Sequence, residues 1–443
     1  MEIMIDLILP LLFLFAFSVL GILLGTITGL VPGFHPNNVA FILLAIAPLI
    51  VAELQFLNVF VPSDMLLVLV ACTIVAASVA HTFLSFIPAT FIGAPEGDTV
   101  IAMLPAHRLL LEGRAYEAIV YSAIGSFGAI IFSFLFLIPF YFLFSVLDFY
   151  ELIRGGMLYI LIAISTLLIL TESFSEQMDA YQAIFLSSFV FILSGFFGYV
   201  ILEMPVHAPF FFHSTMLFPA LTGLFGLSAV LFSLLFIPEI PEQRIEEPVM
   251  ENEYGGIIKS VVSGSAFGTL VSFLPGVTAA HATVMAMLVR RERDPGQVIM
   301  TLSGVNTANV IFTLGTLFLI LRPRSGATIA ISQLLNIQIW DKLIPPSALV
   351  YLLIAALIAA PFSFFIIKCI GKQFAMKFTK LPYRKMLIGT AIFLVVLVFL
   401  FTGLIGLLIL LVGACIGLIP IHFGVRRSNC MGVLLLPIIV MLW

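Results

Sequence analysis

Charge is scarce in this chain. Asp, Glu, Lys and Arg together make up 9% of its 443 residues, against roughly 25% in a soluble domain. A solvated globular fold and a basic nucleic-acid surface are both excluded. Cysteine is scarce too: Cys72, Cys369, Cys415 and Cys430 lie scattered in apolar sequence without C-x-x-C spacing, which indicates neither a disulfide framework nor a metal site. Basic residues are absent before the first apolar run, where Glu2 and Asp6 are the charges. A cleaved signal peptide wants a basic n-region there, so none is expected. The short alternating segments of a membrane β-barrel are missing. So are HExxH, GxSxG and Walker patterns, which argues against an enzyme and against ATP-driven transport by this chain alone.

Apolar sequence is abundant, at 62%. Charge-free runs extend over residues 7–52, 65–95, 118–147, 343–367 and 386–425, among others. One span takes about 20 residues, so the longest runs hold two elements each. The pattern predicts an all-α polytopic protein of the cell membrane with about 10–12 membrane segments. Residues 239–254 carry six glutamates and one arginine. This acidic linker, bounded at 239–256, is expected to separate a first transmembrane repeat (1–238) from a second (257–443). Lysine and arginine gather at 368–385, 290–293 and 426–427, and the positive-inside rule places those loops in the cytoplasm. Simple counting on that basis asks both halves to begin from the outside unless some segments are re-entrant, and two structural repeats with broken or re-entrant helices are expected.

Between the halves lies an internal echo. Residues 25–33 read GTITGLVPG and residues 268–276 read GTLVSFLPG, with Gly, Thr, Pro and Gly matching at an offset of 243. Proline removes a helix hydrogen bond, and an orphaned backbone group costs several kcal/mol in hydrocarbon. Such a break persists where it is buried in protein or lines a wet cavity. Paired Gly/Pro-interrupted segments in two halves point to a transporter binding site. The candidate substrate residues are Pro32, Gly33, His35, Asn37 and Asn38 in one half. Pro275, Gly276, Thr278 and His281 are those of the other. A helix starting at Asn37 or Asn38 is expected to be capped by that asparagine, its N-terminus favouring an anion. A plain kink is the competing account.

Further polar residues interrupt the apolar runs. Glu96 and Asp98 end one of them. Ionisable groups near a membrane interior are functional candidates, here for a coupling Na⁺ or a proton, with an ordinary loop cap as the alternative. Asn306, Thr307 and Asn309 can reach one another or a ligand over one helical turn, so Asn306 and Asn309 join the candidate substrate or coupling-ion contacts. Arg324, also a candidate, either holds an anion or snorkels to headgroups. His81 fits a hydrogen bond to a neighbouring helix as well as it fits a proton relay. Arg108 and Arg114 suit an interfacial helix.

Taken together, these motifs resemble the large membrane subunit of the tripartite tricarboxylate transporter family, the TctA-type permeases. That family carries G-x-x-x-G-x-x-P-G near the start of each half, seen here as Gly25–Gly33 and, with Ser272 replacing the middle glycine, Gly268–Gly276. Ala94-Pro95-Glu96, Gly113-Arg114-Ala115 and Gly125-Ser126-Phe127 also fall at the family's spacing. The chain departs from it at Pro105-Ala106-His107, at Arg322-Pro323-Arg324-Ser325 and at the His-Pro-Asn-Asn tail of the first break. The resemblance implies cation-coupled uptake of citrate-like anions. Its implied partners are a small membrane subunit and an extracytoplasmic binding protein, with no cofactor beyond the coupling ion. Homo-oligomerisation stays open. The alternative is a translocase for a phosphate-bearing lipid such as a polyprenyl phosphate. An intramembrane enzyme using His35, His81 or His281 with Glu96 ranks below both.

Overall fold

The computed structural model describes residues 2–31, 36–55, 63–91, 103–174, 178–202, 204–205, 216–235, 241–248, 254–274, 279–290, 294–378 and 383–443. In lipid, backbone groups must be satisfied within the segment, and the described residues accordingly form helices. The first six are α1 (Glu2–Leu30), α2 (Pro36–Glu53), α3 (Ser63–Leu84), α4 (Phe86–Phe91), α5 (Met103–Leu111) and α6 (Ala115–Tyr141). Next come α7 (Phe149–Arg154), α8 (Met157–Leu170), α9 (Ala180–Leu202), α10 (Leu217–Leu221) and α11 (Ser228–Leu235). The second half holds α12 (Tyr254–Phe273), α13 (Ala279–Arg290), α14 (Pro295–Ile320), α15 (Gly326–Leu334), α16 (Ser347–Phe378), α17 (Tyr383–Phe423) and α18 (Gly432–Leu442).

Among the described residues, nine helices are long and apolar enough to cross a membrane. Three shorter apolar helices, Val39–Glu53, Met157–Leu170 and Arg427–Leu442, add to them. Helix α17 would run about 60 Å if straight, twice the thickness of the hydrocarbon core. It is broken at Gly403, where φ 68° and ψ −158° are non-helical. Apolar side chains cover the outer faces: Leu12 and Ile27 on α1, Phe185 and Phe196 on α9, Leu404 and Leu411 on α17 are all exposed. This is a multi-pass membrane protein.

Two bundles result. Helices α1–α6 pack with α12–α16, whereas α9–α11 pack mainly with α17 and α18. The first bundle is put together in matched pairs. Helix α1 packs on α3 as α12 packs on α14; α3 packs on α16 as α14 packs on α6; α5 reaches α14 as α15 reaches α3.

Small residues set these contacts. A Cβ added at Gly21 would collide with Thr73 O, and one at Gly25 with Ala77 O. In the other half a Cβ at Gly264 would collide with Thr301 O, and one at Gly268 would lie 2.6 Å from Val305 O. The helices approach backbone to backbone, as small-residue spacing permits in membranes. Gly25 and Gly268 both sit inside regular helices, where they serve packing.

Helix directions follow from the contact pairs. Gly21 faces Thr73 and Gly29 faces Leu84, so α1 and α3 are parallel. Gly256 faces Gln297 and Gly268 faces Val305, so α12 and α14 are parallel. Gly296 faces Tyr121 and Gly315 faces Phe140, so α14 also runs with α6. Gly371 meets Ile119 while Phe364 meets Phe127, so α16 opposes α6. Phe15 on α1 meets Phe362, and Phe91 on α4, which continues α3 in one span, meets Phe374, so the parallel α1 and α3 run with α16. Hence α1 and α12 point in opposite directions. Counting charges asked both halves to begin outside. The opposed directions go with the re-entrant exception, since α13, α5 and α15 have 12, 9 and 9 residues, too few for a full crossing.

The linker sits at one end of this bundle. Arg244 N donates to Gly113 O at 2.8 Å, Gln243 Nε2 donates to Leu110 O at 3.0 Å, and Lys368 pairs with Glu247 at 2.7 Å. That end collects Arg114, Arg290, Lys368 and Lys372. Gly113 takes φ 77°, and a Cβ there would press on Glu242 O at 2.9 Å, so a glycine is needed where the linker crosses.

Candidate functional site

The site is built where α1, α2, α3, α14 and α15 meet. Helix α2 begins at Pro36, one residue before the expected cap. Proline suits the first helical position because its missing N–H would lack a helix partner anyway. Asn37 then serves a different helix: its Oδ1 accepts from Ala327 N at 3.1 Å, in the first turn of α15. A Cβ at Gly326 would lie 2.6 Å from the Asn37 side chain. The start of α2 from one half thus closes on the start of α15 from the other. Ser325 and Thr328 complete a capping box there, with Thr328 N donating to Ser325 Oγ at 3.2 Å and Ser325 N donating to Thr328 Oγ1 at 2.9 Å.

Arg324 precedes that cap. Its Nη2 donates to the Tyr150 hydroxyl at 3.2 Å, and its guanidinium lies 5.9 Å from the Tyr150 ring centre; that of Arg322 lies 5.4 Å away. Burial lowers the Arg324 pKa from its usual value, with Tyr150 opposing and Arg322 adding to the effect. Its buried Nε has no hydrogen-bond partner among the described residues. Arg108 and Arg114 are committed elsewhere, to Glu112 at 2.9 Å and to Glu117 at 2.6 Å.

Inside the bundle, polar groups cross between helices. His81 Nδ1 and Thr28 Oγ1 are 3.1 Å apart, both buried. The Thr28 hydroxyl also lies 3.1 Å from Gly25 O, so His81 and Thr28 form one buried polar contact between α3 and α1. Thr82 spends its proton on Val79 O at 2.8 Å and therefore accepts from Thr307 at 3.2 Å. Asn306 is 8% exposed, and its Oδ1 has no partner among the described residues; nor has the buried Oδ1 of Asn309.

The glycine contacts define counterparts. Thr73 corresponds to Thr301, Ala77 to Val305 and Ala80 to Ala308. One residue further on each, Ser78 corresponds to Asn306 and His81 to Asn309. Likewise Thr28, three residues past Gly25, corresponds to Val271, three past Gly268. His81 has a hydroxyl to meet; Asn309 has the apolar Val271 in that place. Sequence reading had left His81 open and had not paired it with Asn309. The signal was present in the four-residue spacing of Gly21, Gly25 and Gly29, of which Gly21 was missed.

Of the other expected site residues, Pro32, Gly33, His35, Glu96, Asp98, Pro275, Gly276 and Thr278 lie outside the described residues. Asn38 and His281 fall on α2 and α13, with their side chains likewise outside the described set. Among the described residues no group of three or more His, Cys, Asp or Glu is placed to hold a metal ion.

The first bundle thus holds matched, oppositely directed helices. The model of the tripartite tricarboxylate transporter TctA family matches residues 15–432. The chain belongs to that family. It is also 31% identical over 433 residues to an uncharacterized protein of Methanocaldococcus jannaschii, covering 96% of this chain and 98% of that one. No solved structure matches the chain. A TctA-family chain is the membrane permease component of a tripartite transport system, which also involves a small membrane subunit and a binding protein.

Proposed function

We propose that this chain is a cation-coupled secondary transporter of a small organic anion, with alternating access around the two Pro-Gly breaks. The observation that carries the reading is the opposed direction of α1 and α12, each packed through matching glycines and each followed by a short second helix. Two such units related by inversion can exchange roles between inward- and outward-open forms. The division into 1–238 and 257–443 across the linker belongs to this proposal.

The anion would sit between the breaks. His35, Asn37 and Asn38 approach it from the first half, and Thr278 and His281 from the second. Backbone N–H groups after Gly33 and Gly276 supply donors, and Arg324 adds charge beside the α15 start. Glu96 and Asp98 are proposed contacts for a coupling ion or proton. The departures from the family pattern fall on these positions, so the anion need not be citrate. A phosphate-bearing lipid would call for free basic groups, whereas Arg108 and Arg114 are already paired with carboxylates.

Reconstitution tests the reading. Proteoliposomes holding the chain and its partner subunits should take up a di- or tricarboxylate under an inward Na⁺ or H⁺ gradient and not without one. Absence of uptake across a panel of carboxylates would count against it.

A further inference from the structure

We infer that α14 carries a seat for an alkali-metal cation, formed by Asn306 Oδ1 and Asn309 Oδ1. Its role as a coupling ion rests on the transport reading above; the binding itself does not. The starting observation is an imbalance of donors. A buried acceptor without a donor costs roughly 1–3 kcal/mol, and α14 buries two of them, three residues apart on one face. Residues at that spacing are neighbours on a helix surface.

The inverted counterpart shows what a satisfied version looks like. Ser78, in the position of Asn306, donates to Ile74 O at 2.9 Å. His81, in the position of Asn309, is hydrogen-bonded to Thr28 through Nδ1. The second half has replaced a hydroxyl and a donor ring by two amides, and has replaced the hydroxyl that would face them by Val271. Both changes leave acceptors unanswered at equivalent places.

The chemistry of the pair selects its ligand. Two bare carbonyl-type oxygens repel an anion and attract a hard cation. Amide oxygens do not titrate in the physiological range, so a proton is not their ligand. The α14 segment from 298 to 321 carries no carboxylate, which favours a monovalent ion over a divalent one. Helix α12 ends at Phe273, little more than a turn beyond the Gly268 contact with Ala308. A helix C-terminus carries about half a negative charge, and such ends hold Na⁺ in carriers.

Binding of ²²Na⁺ to the purified full-length chain, with K⁺ and choline as competitors, decides it. We expect saturable binding in wild type, at least tenfold weaker binding in Asn306→Ala and Asn309→Ala, and tighter binding in Asn306→Asp. The aspartate keeps the size of the side chain and adds a charge that only a cation welcomes. Size-exclusion profiles establish that each variant folds. No saturable Na⁺ binding by wild type overturns the inference. So does unchanged binding in the folded alanine variants, or weaker binding in Asn306→Asp. Carboxylate uptake that proceeds without Na⁺ would leave the transport reading standing while the coupling role of this seat falls.

Discussion

Gly25 and Gly255 differ in what surrounds them, and the difference is measurable. A Cβ at Gly25 would run into Ala77 O and Ala80 Cβ, whereas at Gly255 it would meet nothing within 4 Å. Overpacking of that kind costs about 1–3 kcal/mol. Gly25→Val should therefore lower the melting temperature of the purified protein by several degrees, while Gly255→Ala leaves it unchanged. Equal melting of the two variants would rule out the close helix approach. Thr28 gives a second residue-level case. Thr28→Val removes the hydroxyl that the buried His81 Nδ1 meets, at a cost of about 1–3 kcal/mol. Replacing Val271 by Thr removes no such partner, so a melt that ranks Val271→Thr as the more damaging of the two would contradict the assignment.

Elements explain why some of this was legible beforehand. Apolar runs and charge placement announce membrane helices without knowledge of their partners, and the Gly-Thr…Pro-Gly echo announces duplication. Direction is not legible in the same way. Whether α2 or α13 counts as a crossing depends on which helices pack beside it, and charge counting alone assigned both halves the same start. The Asn37 contact was illegible for a related reason. Its partner Ala327 lies 290 positions away, and local capping rules see only the helix to which a residue belongs. His81 could be named as a polar residue, but its equivalence with Asn309 emerges only once the glycine contacts align α3 with α14.

A buried acid joins two turns at the element scale. Glu172, after α8, accepts from Arg426 N at 3.3 Å and from Asn429 Nδ2 at 3.2 Å, in the turn before α18. Burial raises its pKa above the ordinary 4.5, and Arg426 opposes that only in part. The folded state thus holds a proton more tightly than the unfolded one. The sign follows from linkage: stability contributed by this group is lost as pH rises through the folded pKa and regained as pH falls toward 4.5. Glu172→Gln keeps the two accepted bonds and removes the charge. Its melting temperature should match or exceed that of wild type at neutral pH, and the advantage should shrink on acidification. A variant that is instead least stable at neutral pH, relative to wild type, would show that the Arg426 charge outweighs burial.

At the scale of the whole molecule, the opposed helices make a claim about sidedness. The end bearing the linker, Arg114, Lys368 and Lys372 is assigned to the cytoplasm by its basic residues. Asp148 follows α6 and Arg322 follows α14, two parallel helices whose starts lie at the linker end. Both residues therefore belong to the opposite, extracytoplasmic end, where a binding protein delivering an anion would meet Arg322. Single cysteines at Asp148 and Arg322, placed in a background lacking Cys369 and Cys415, the two exposed native thiols, should react with a membrane-impermeant maleimide in intact cells. Cysteines at Lys372 and Glu247 should react only after the membrane is opened. Because α1 and α12 point oppositely, a cysteine at Tyr254, the first residue of α12, should behave like Lys372. Labelling of Tyr254→Cys from outside would mean that the two halves enter the membrane from one side, and the inverted pairing on which alternating access depends would fall with it.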